Sequence, residues 1–462
     1  MLADKLPAPY LNMLRDLLGE ESLRQYLESF EQERSYGLRA NLLKISPGQL
    51  RALLPYLGQT VPWSREGFYY PPEIRPAKSV WYNAGLFYQQ EPSAMLPAAV
   101  AGIEPGHAVL DLCAAPGGKA SQAAGYLRGR GMIAANDVSI SRCKPLVKNI
   151  ELSGVTNALV ICEKPERLAQ RFSHFFDRIL VDAPCSGEGM FRKDAEAISD
   201  WSRHKPEACA AIQRGILNRA AEMLKPGGRI VYSTCTFEYC ENEGMVQWFL
   251  DTHPGFYIMP LNYAELGITG APAGAGRIWP HLQEGEGHFA CVLGSEGQPR
   301  PARENRGGRR VKGIEYFNAF CEEYLMCKIL GDFIALGESL YRLPEGTPDL
   351  TGVRTVRSGW YLGELKEKRF EPSQAFAMGL KMGDARIAIN FNPEGPDVVK
   401  YLRGDSFDIQ AEDFFNIQAG DFSDMRAGAG WVLACTGGYP LGWGKVRDGR
   451  LKNKLLKSWT VG

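Results

Sequence analysis

The sequence predicts an α/β protein in which a parallel sheet is covered by helices on both faces, with an α-rich part before it and further parts after it. Three observations predict this. From about Gly106 the chain runs through short apolar segments (AVLDL, GMIAAN, ALVIC, RILVDAP, GRIVYS, then RIWPH and FACVL), each ending in turn or polar residues. Helix-like stretches separate most of them, which is the alternation of βαβ units. Before them, LPAPYLNMLRDLLG and EESLRQYLESFEQ carry apolar residues at three- and four-residue spacing, the period of a helix packed on one face. After them comes GSEGQPRPARENRGGRRVK, rich in Gly, Pro and Arg, which cannot bury a core and marks a linker. In sheets of this kind ligands bind outside the carboxyl ends of the strands, so the strand ends are where chemistry is sought.

Composition limits the functional classes. With 462 residues, 45% of them hydrophobic, the chain is long enough for several cores. The 53 basic and 53 acidic residues cancel, so nucleic-acid contact must come from local patches. No apolar run approaches the roughly 20 residues that cross a bilayer, and the N-terminus lacks a basic segment followed by an apolar block. A soluble cytoplasmic protein without membrane contact is expected, and nothing points to an obligate assembly, so a monomer is expected. The eleven cysteines are odd in number, irregularly spaced and without a CxxC pair. That pattern suits free thiols in a reducing compartment and gives no metal site.

Four strand ends carry the candidate chemistry. In VLDLCAAPGGKAS, Val109 to Ser121, a strand ends at Asp111, and Gly117 and Gly118 let the backbone approach a ligand before a helix starts. Asp137, 18 residues beyond Lys119, ends the next strand, where a carboxylate can accept bonds from the ribose hydroxyls of a nucleoside cofactor. RILVDAPCSGEGMF and GRIVYSTCTF then bring Cys185 and Cys235 to the same rim, with Asp182 just before the first thiol. A lone cysteine after a strand is most often core filler, but Asp182, Pro184 and Ser233, Thr234 and Thr236 are polar or rigid neighbours unlike a core.

An acid and a thiol together suit chemistry at carbon 5 of a pyrimidine. That carbon is too weak a nucleophile to take a methyl group directly. A thiolate must first add to carbon 6 while N3 is protonated, which makes the ring an enamine able to attack a sulfonium methyl. Loss of the carbon 5 proton then expels the thiol. The residues alone leave open which of the two thiols attacks.

The motifs LDLCAAPGGKA, NDVSISR, VDAPCSGEG with FRKD, and YSTCTF with Glu241 to Glu243 resemble the NOL1/NOP2/Sun family of RNA 5-methylcytosine methyltransferases, closest to its bacterial RsmF type acting on 16S ribosomal RNA. LRANLLK, YQQEPSAMLPA and GEGHF are similar too, so the likeness runs from about Tyr36 to Leu293 and is looser beyond. The resemblance implies a seven-stranded Rossmann-like domain that uses S-adenosylmethionine. It also implies that Cys113, Ala114, Ala115, Pro116, Gly117, Gly118 and Lys119 cradle this cofactor, with Asp137, Arg142 and Asp182 in contact. On the same grounds Asp182 holds the cytosine, Cys235 is the nucleophile and Cys185 assists release of the methylated RNA. Where the family places an acidic residue near the adenine, this chain has Lys164 beside Glu163, and Glu163 or a backbone group is expected to substitute.

Domain limits follow: 1–95 contacting RNA, 96–295 catalytic, 296–312 a basic linker, 313–388 an α+β middle domain, and 389–462 resembling a PUA-like RNA-binding domain. Arg39 and Lys44 fall in the family's N-terminal RNA-contact motif. Lys445 to Lys457 holds six basic residues against one acidic, an excess that favours phosphate, with Lys445 and Arg447 the expected contacts. Trp443 and Tyr439 suit core packing better than base stacking. The expected partner is 16S ribosomal RNA in or from the 30S subunit. The alternatives are a transfer-RNA 5-methylcytosine methyltransferase, a catalytically silent RNA-binding assembly factor, and a DNA cytosine methyltransferase, which would use Cys185 as nucleophile.

Overall fold

The computed structural model describes residues 3–298, 311–409, 414–415 and 430–461. The basic linker expected at 296–312 falls mostly on 299–310, which lie outside the described residues. Among the described residues no helix is long and apolar enough to cross a membrane.

The first helical pattern folds as the helix Ala8–Glu28, kinked where Gly19 leaves helical geometry. Helix does not continue from there to residue 95. A short helix opens at Pro47 (Pro47–Leu53), Pro55 and Pro62 lie beyond its end, and the other segments pair as a three-stranded antiparallel sheet: β1 (Tyr36–Ala40) flanked by β2 (Gly67–Tyr70) and β3 (Phe87–Gln89). The N-terminal part is therefore mixed rather than purely helical, because its strands are too short to show a period of their own.

All seven apolar runs become strands of one sheet. Five are parallel, in the order β8 (Leu224–Thr234), β7 (Phe176–Asp182), β4 (Ala108–Asp111), β5 (Met132–Asn136) and β6 (Ala158–Ile161). β12 (His288–Ser295) runs antiparallel beside β8 and pairs in turn with β9 (Phe256–Met259) and β11 (Gly276–Ile278), with β10 (Thr269–Gly270) outermost. The chain winds outward from β4 through β5 to β6, then returns to β7 on the other side. This reversal opens a crevice at the carboxyl ends of β4 and β7. One face packs Leu110, Ile179, Ile230 and Phe289 against the helices Lys205–Met223 and Glu243–Thr252. The other packs Val109, Ile133 and Val231 against Gly118–Leu127 and Ile140–Leu152.

The sheet does not end at β6. β15 (Thr355–Arg357), from the middle part of the chain, pairs antiparallel with it. The rest of that part is a four-stranded sheet of β13 (Phe333–Leu336), β14 (Ser339–Arg342), β16 (Trp360–Lys366) and β17 (Arg369–Pro372). The final sheet orders β19 (Phe407–Asp408), β23 (Arg450–Asn453), β22 (Tyr439–Arg447), β21 (Gly430–Thr436), β18 (Ala388–Phe391) and β20 (Phe414–Phe415). These two sheets share one aromatic core of Phe317, Phe320, Trp360, Phe376, Trp431 and Trp443. Trp443 is buried and its Nε1 donates to the Ser373 carbonyl at 3.0 Å, so it is core rather than a stacking platform. Tyr439 meets the edge of Trp81 from the N-terminal part. The final sheet thus folds back on the N-terminal sheet, with Leu38 and Phe87 joining Ile389 and Val432 in one cluster.

Phe376 lies wholly buried within 6.4 Å of Phe317, Phe320, Phe370, Trp360 and Trp443, ring centre to ring centre. Phe376→Ala is expected to cost about 3–5 kcal/mol. Urea melts followed at tryptophan should show both C-terminal sheets losing stability together; a loss confined to one of them would contradict the shared core.

Candidate active site

The turn after β4 is shaped by Gly117, whose φ of 111° is left-handed and whose missing Cβ would meet Leu146 Cδ1 at 3.0 Å. The helix Gly118–Leu127 starts there and turns Lys119 back over the strand ends. The Lys119 ammonium reaches Asp182 Oδ2, at the end of β7, at 2.7 Å. Ser233 Oγ, on β8, donates to the other oxygen at 2.9 Å, and His288 Nε2, on β12, stands 3.7 Å from it. Burial pushes the Asp182 acid upward, but Lys119 and His288 outweigh it and hold the carboxyl below its ordinary range. Burial likewise opposes charge on Lys119, and Asp182, Asp111 and the Cys235 sulfur overcome it, so the ammonium is retained.

The two thiols meet beside this pair. Cys185 Sγ and Cys235 Sγ lie 3.3 Å apart, both partly accessible. The hydrogen bond with Cys235 and burial push the Cys185 thiol well up, so it keeps its proton. Gly189 N–H donates to the Cys235 carbonyl at 2.8 Å and ties the first cysteine loop to the second. Behind both loops stands the N-terminal helix: Tyr10 packs on Phe191, 5.2 Å between ring centres, and Tyr26 on Phe237 at 5.8 Å.

Cys113 to Lys119 form the turn facing the crevice. Asp137 and Arg142 form an ion pair at 3.3 Å, and Arg142 Nη2 also donates to the Ala115 carbonyl at 2.9 Å, which ties the end of β5 to that turn. Glu163 is buried beyond β6, where its carboxylate accepts from the backbone N–H groups of Lys164 and Arg354 and lies 3.6 Å from Arg167. Lys164 points outward. A cleft of about 460 Å³ opens here, lined by Val138, Glu163, Lys164, Arg167 and Arg354 among others.

Two further candidate residues have no role assigned by the motifs. Asp111, the last residue of β4, is buried with both carboxylate oxygens unpartnered, and burial raises it to about 7. A buried carboxyl with no side-chain partner at the end of β4 fits a ligand that brings its own donors, such as an amino-acid ammonium. His288 lies inside GEGHF, a segment quoted for its likeness and not for its chemistry. Only the three-dimensional approach of β12 to β8 brings it to Asp182.

Two expected RNA contacts are corrected. Arg39 is only 2% exposed, and its guanidinium donates to Gln90 Oε1 at 2.7 Å and also binds the Gly118 carbonyl and Ser121. It braces the glycine turn from behind. Lys44 Nζ donates to the carbonyls of Ala84 at 2.8 Å and Leu152 at 3.4 Å, and burial lowers it to about 7. Both cations close backbone acceptors within the fold instead of facing phosphate. Lys445 lies over Trp431 at 4.4 Å, and Arg447 is exposed on the final sheet.

A reversed parallel sheet with a glycine turn and two thiols at its strand ends has the architecture of a Rossmann-like methyltransferase. Residues 99–294 match the family described as 16S rRNA methyltransferase RsmB/F. Residues 6–92, 319–380 and 388–461 match the N-terminal, first C-terminal and PUA domains of RsmF. The chain belongs to the RsmF family of 16S rRNA methyltransferases. Ribosomal RNA small subunit methyltransferase F of Erwinia tasmaniensis is 31% identical over 86% of this chain and 88% of its own length. A Shewanella protein of the same name is 29% identical over 96% and 94%. Among solved structures, a methyltransferase homolog from Pyrococcus horikoshii is 31% identical, with a TM-score of 0.55 over 64% of this chain and 98% of that one. NSun6 from the same organism, solved with SFG, shares the fold at 22% identity and a TM-score of 0.56, over 63% and 99%.

His288 gives a pH prediction. Burial holds it down to about 4, so the folded imidazole is neutral throughout the range where the unfolded one gains a proton. Stability is therefore lost as pH falls from about 6.5 toward 4, by about 2 kcal/mol at pH 5. Denaturation midpoints at pH 7.5 and 5 should show a smaller acid loss in His288→Asn than in the parent; equal losses would remove His288 from the linkage.

Proposed function

We propose that the chain methylates carbon 5 of a cytosine in 16S ribosomal RNA, in or from the 30S subunit in the cytoplasm, with S-adenosylmethionine as donor and Cys235 as nucleophile. The observation that carries this is the meeting of Cys235, Cys185, Lys119 and Asp182 at the ends of β7 and β8. The names of the relatives support ribosomal RNA as substrate, and the thiol pair supports carbon 5 of a pyrimidine over an exocyclic nitrogen, which needs no thiol.

The buried Asp111, the Gly117–Gly118 turn and Asp137 fit a nucleoside that carries an amino acid on a sulfonium, and Glu163 borders the outer cleft. S-adenosylmethionine, when bound, supplies the electrophilic methyl group that carbon 5 accepts. The chain's own residues do the rest. Cys235, whose sulfur interacts with the Lys119 ammonium, forms a bond to carbon 6. Asp182, held ionised, accepts from the exocyclic amine of the cytosine, and the Lys119–Asp182 pair carries the proton taken by N3. After methylation, solvent water takes the carbon 5 proton as the ring double bond re-forms and expels the Cys235 thiolate, and N3 returns its proton to the Lys119–Asp182 pair. Cys185, still protonated and 3.3 Å away, hands its proton to the leaving sulfur. A target base must be splayed from its stack to reach this rim. Lys445 and Arg447 hold the flanking phosphates.

With tritiated S-adenosylmethionine and 16S RNA, Cys235→Ala should abolish transfer. Cys185→Ala should accumulate a covalent protein–RNA adduct on denaturing gels; reversed phenotypes would exchange the two roles. Asp182→Asn should lose at least about 100-fold in turnover, with cofactor affinity changed much less. Bisulfite sequencing of the product reads the methylated position, and methyl incorporation at any atom other than carbon 5 of cytosine would sink the proposal.

A further inference from the structure

The segment Glu241 to Glu243, just beyond the second thiol, has no part in the chemistry above, yet it is buried against both cysteine loops. We infer that Glu241 and Asn242 are positioning residues, one holding the Cys185 loop and the other the Cys235 loop, and that together they set the spacing of the two sulfurs.

Each bond falls on a residue next to a cysteine. The Glu241 carboxylate accepts from Ser186 N–H at 3.1 and 3.3 Å and from the Ser186 hydroxyl. It also accepts from Gln213 Nε2 at 2.7 Å, and the same amide nitrogen donates to the Pro184 carbonyl at 3.0 Å. The residues before and after Cys185 are thereby held through one carboxylate. Asn242 treats the other loop alike: its Oδ1 accepts from Thr234 Oγ1 at 2.6 Å, and its Nδ2 donates to the Thr236 carbonyl at 2.9 Å. The loops also meet directly, Ser186 Oγ to Thr236 Oγ1 at 2.9 Å.

Both residues are 0% exposed, so neither can touch RNA or cofactor. Their backbone is fixed in turn by Tyr232, on β8, whose hydroxyl donates to the Glu241 carbonyl at 2.6 Å. Two consecutive residues on one rigid turn thus reach in opposite directions and grip two loops 50 residues apart in sequence. Ser186 N–H, the Ser186 hydroxyl and Gln213 Nε2 converge on the Glu241 carboxyl. An amide in its place keeps one acceptor oxygen and turns N–H groups against those donors.

The inference rests on the two-thiol reading above but can be tested apart from it. A trivalent arsenical, phenylarsine oxide, bridges thiols only when they are close, and its affinity for this pair is the difference between the parent and Cys185→Ala. In Glu241→Gln and in Asn242→Ala, this arsenical affinity should fall at least tenfold. kcat should fall at least tenfold while KM for the cofactor stays within twofold, with the folded fraction at assay temperature checked by circular dichroism. If Glu241→Gln does not fold, Ser186→Ala, which removes only the hydroxyl, should show the same change in smaller degree. Folded variants with parental arsenical affinity and kcat would overturn the inference. Lost bridging alongside a parent that methylates no RNA cytosine would instead overturn the proposed function and leave the positioning role standing.

Discussion

The site depends on one partly buried ion pair. Lys119 belongs to the helix that opens at the glycine turn after β4, and Asp182 to the end of β7, where the proposed reaction would hold the base. Their 2.7 Å contact joins the two halves of the site and decides the charge of both. A buried pair costs desolvation, and it persists where further bonds satisfy its members. Ser233 supplies one of these to Asp182, while Asp111 and the Cys235 sulfur add negative potential around Lys119. Breaking either partner would leave an uncompensated charge at the centre of the crevice, so this point constrains every neighbouring side chain.

The elements around the pair divide by how local their signals are. The strands and their terminal residues are readable in the sequence, because a parallel strand buried on both faces is a short apolar run and the polar residue after it breaks that run. Asp182, Cys185, Cys235 and the Cys113–Lys119 turn announce themselves this way. Arg39 and Lys44 do not, since a cation that closes a backbone carbonyl and one that meets phosphate look alike in a string of letters; only burial separates them. His288 and the Glu241–Asn242 turn are invisible for a different reason. Their partners lie on strands and loops distant in sequence, and no periodicity encodes such a meeting.

The same limit applies to organisation. Changes of composition suggest separate domains along the chain, yet the aromatic core joins the middle and final sheets, and the final sheet joins the N-terminal one. The chain closes on itself, with Lys44 bonded between the N-terminal part and the helix Ile140–Leu152. The strand bearing Lys445 and Arg447 is thereby packed, through shared side chains, onto the N-terminal and middle parts of the chain.

β15 adds one more consequence. An open sheet whose outermost strand is unpaired presents a row of free amide and carbonyl groups that can recruit strands from other chains. Here β6 would be such an edge, and the strand that covers it lies nearly 200 residues further along. While the polypeptide is being synthesised, the catalytic sheet can form well before its cover emerges from the ribosome. Until then the nascent sheet carries β6 as an unpaired edge, the kind of surface through which partly folded chains aggregate.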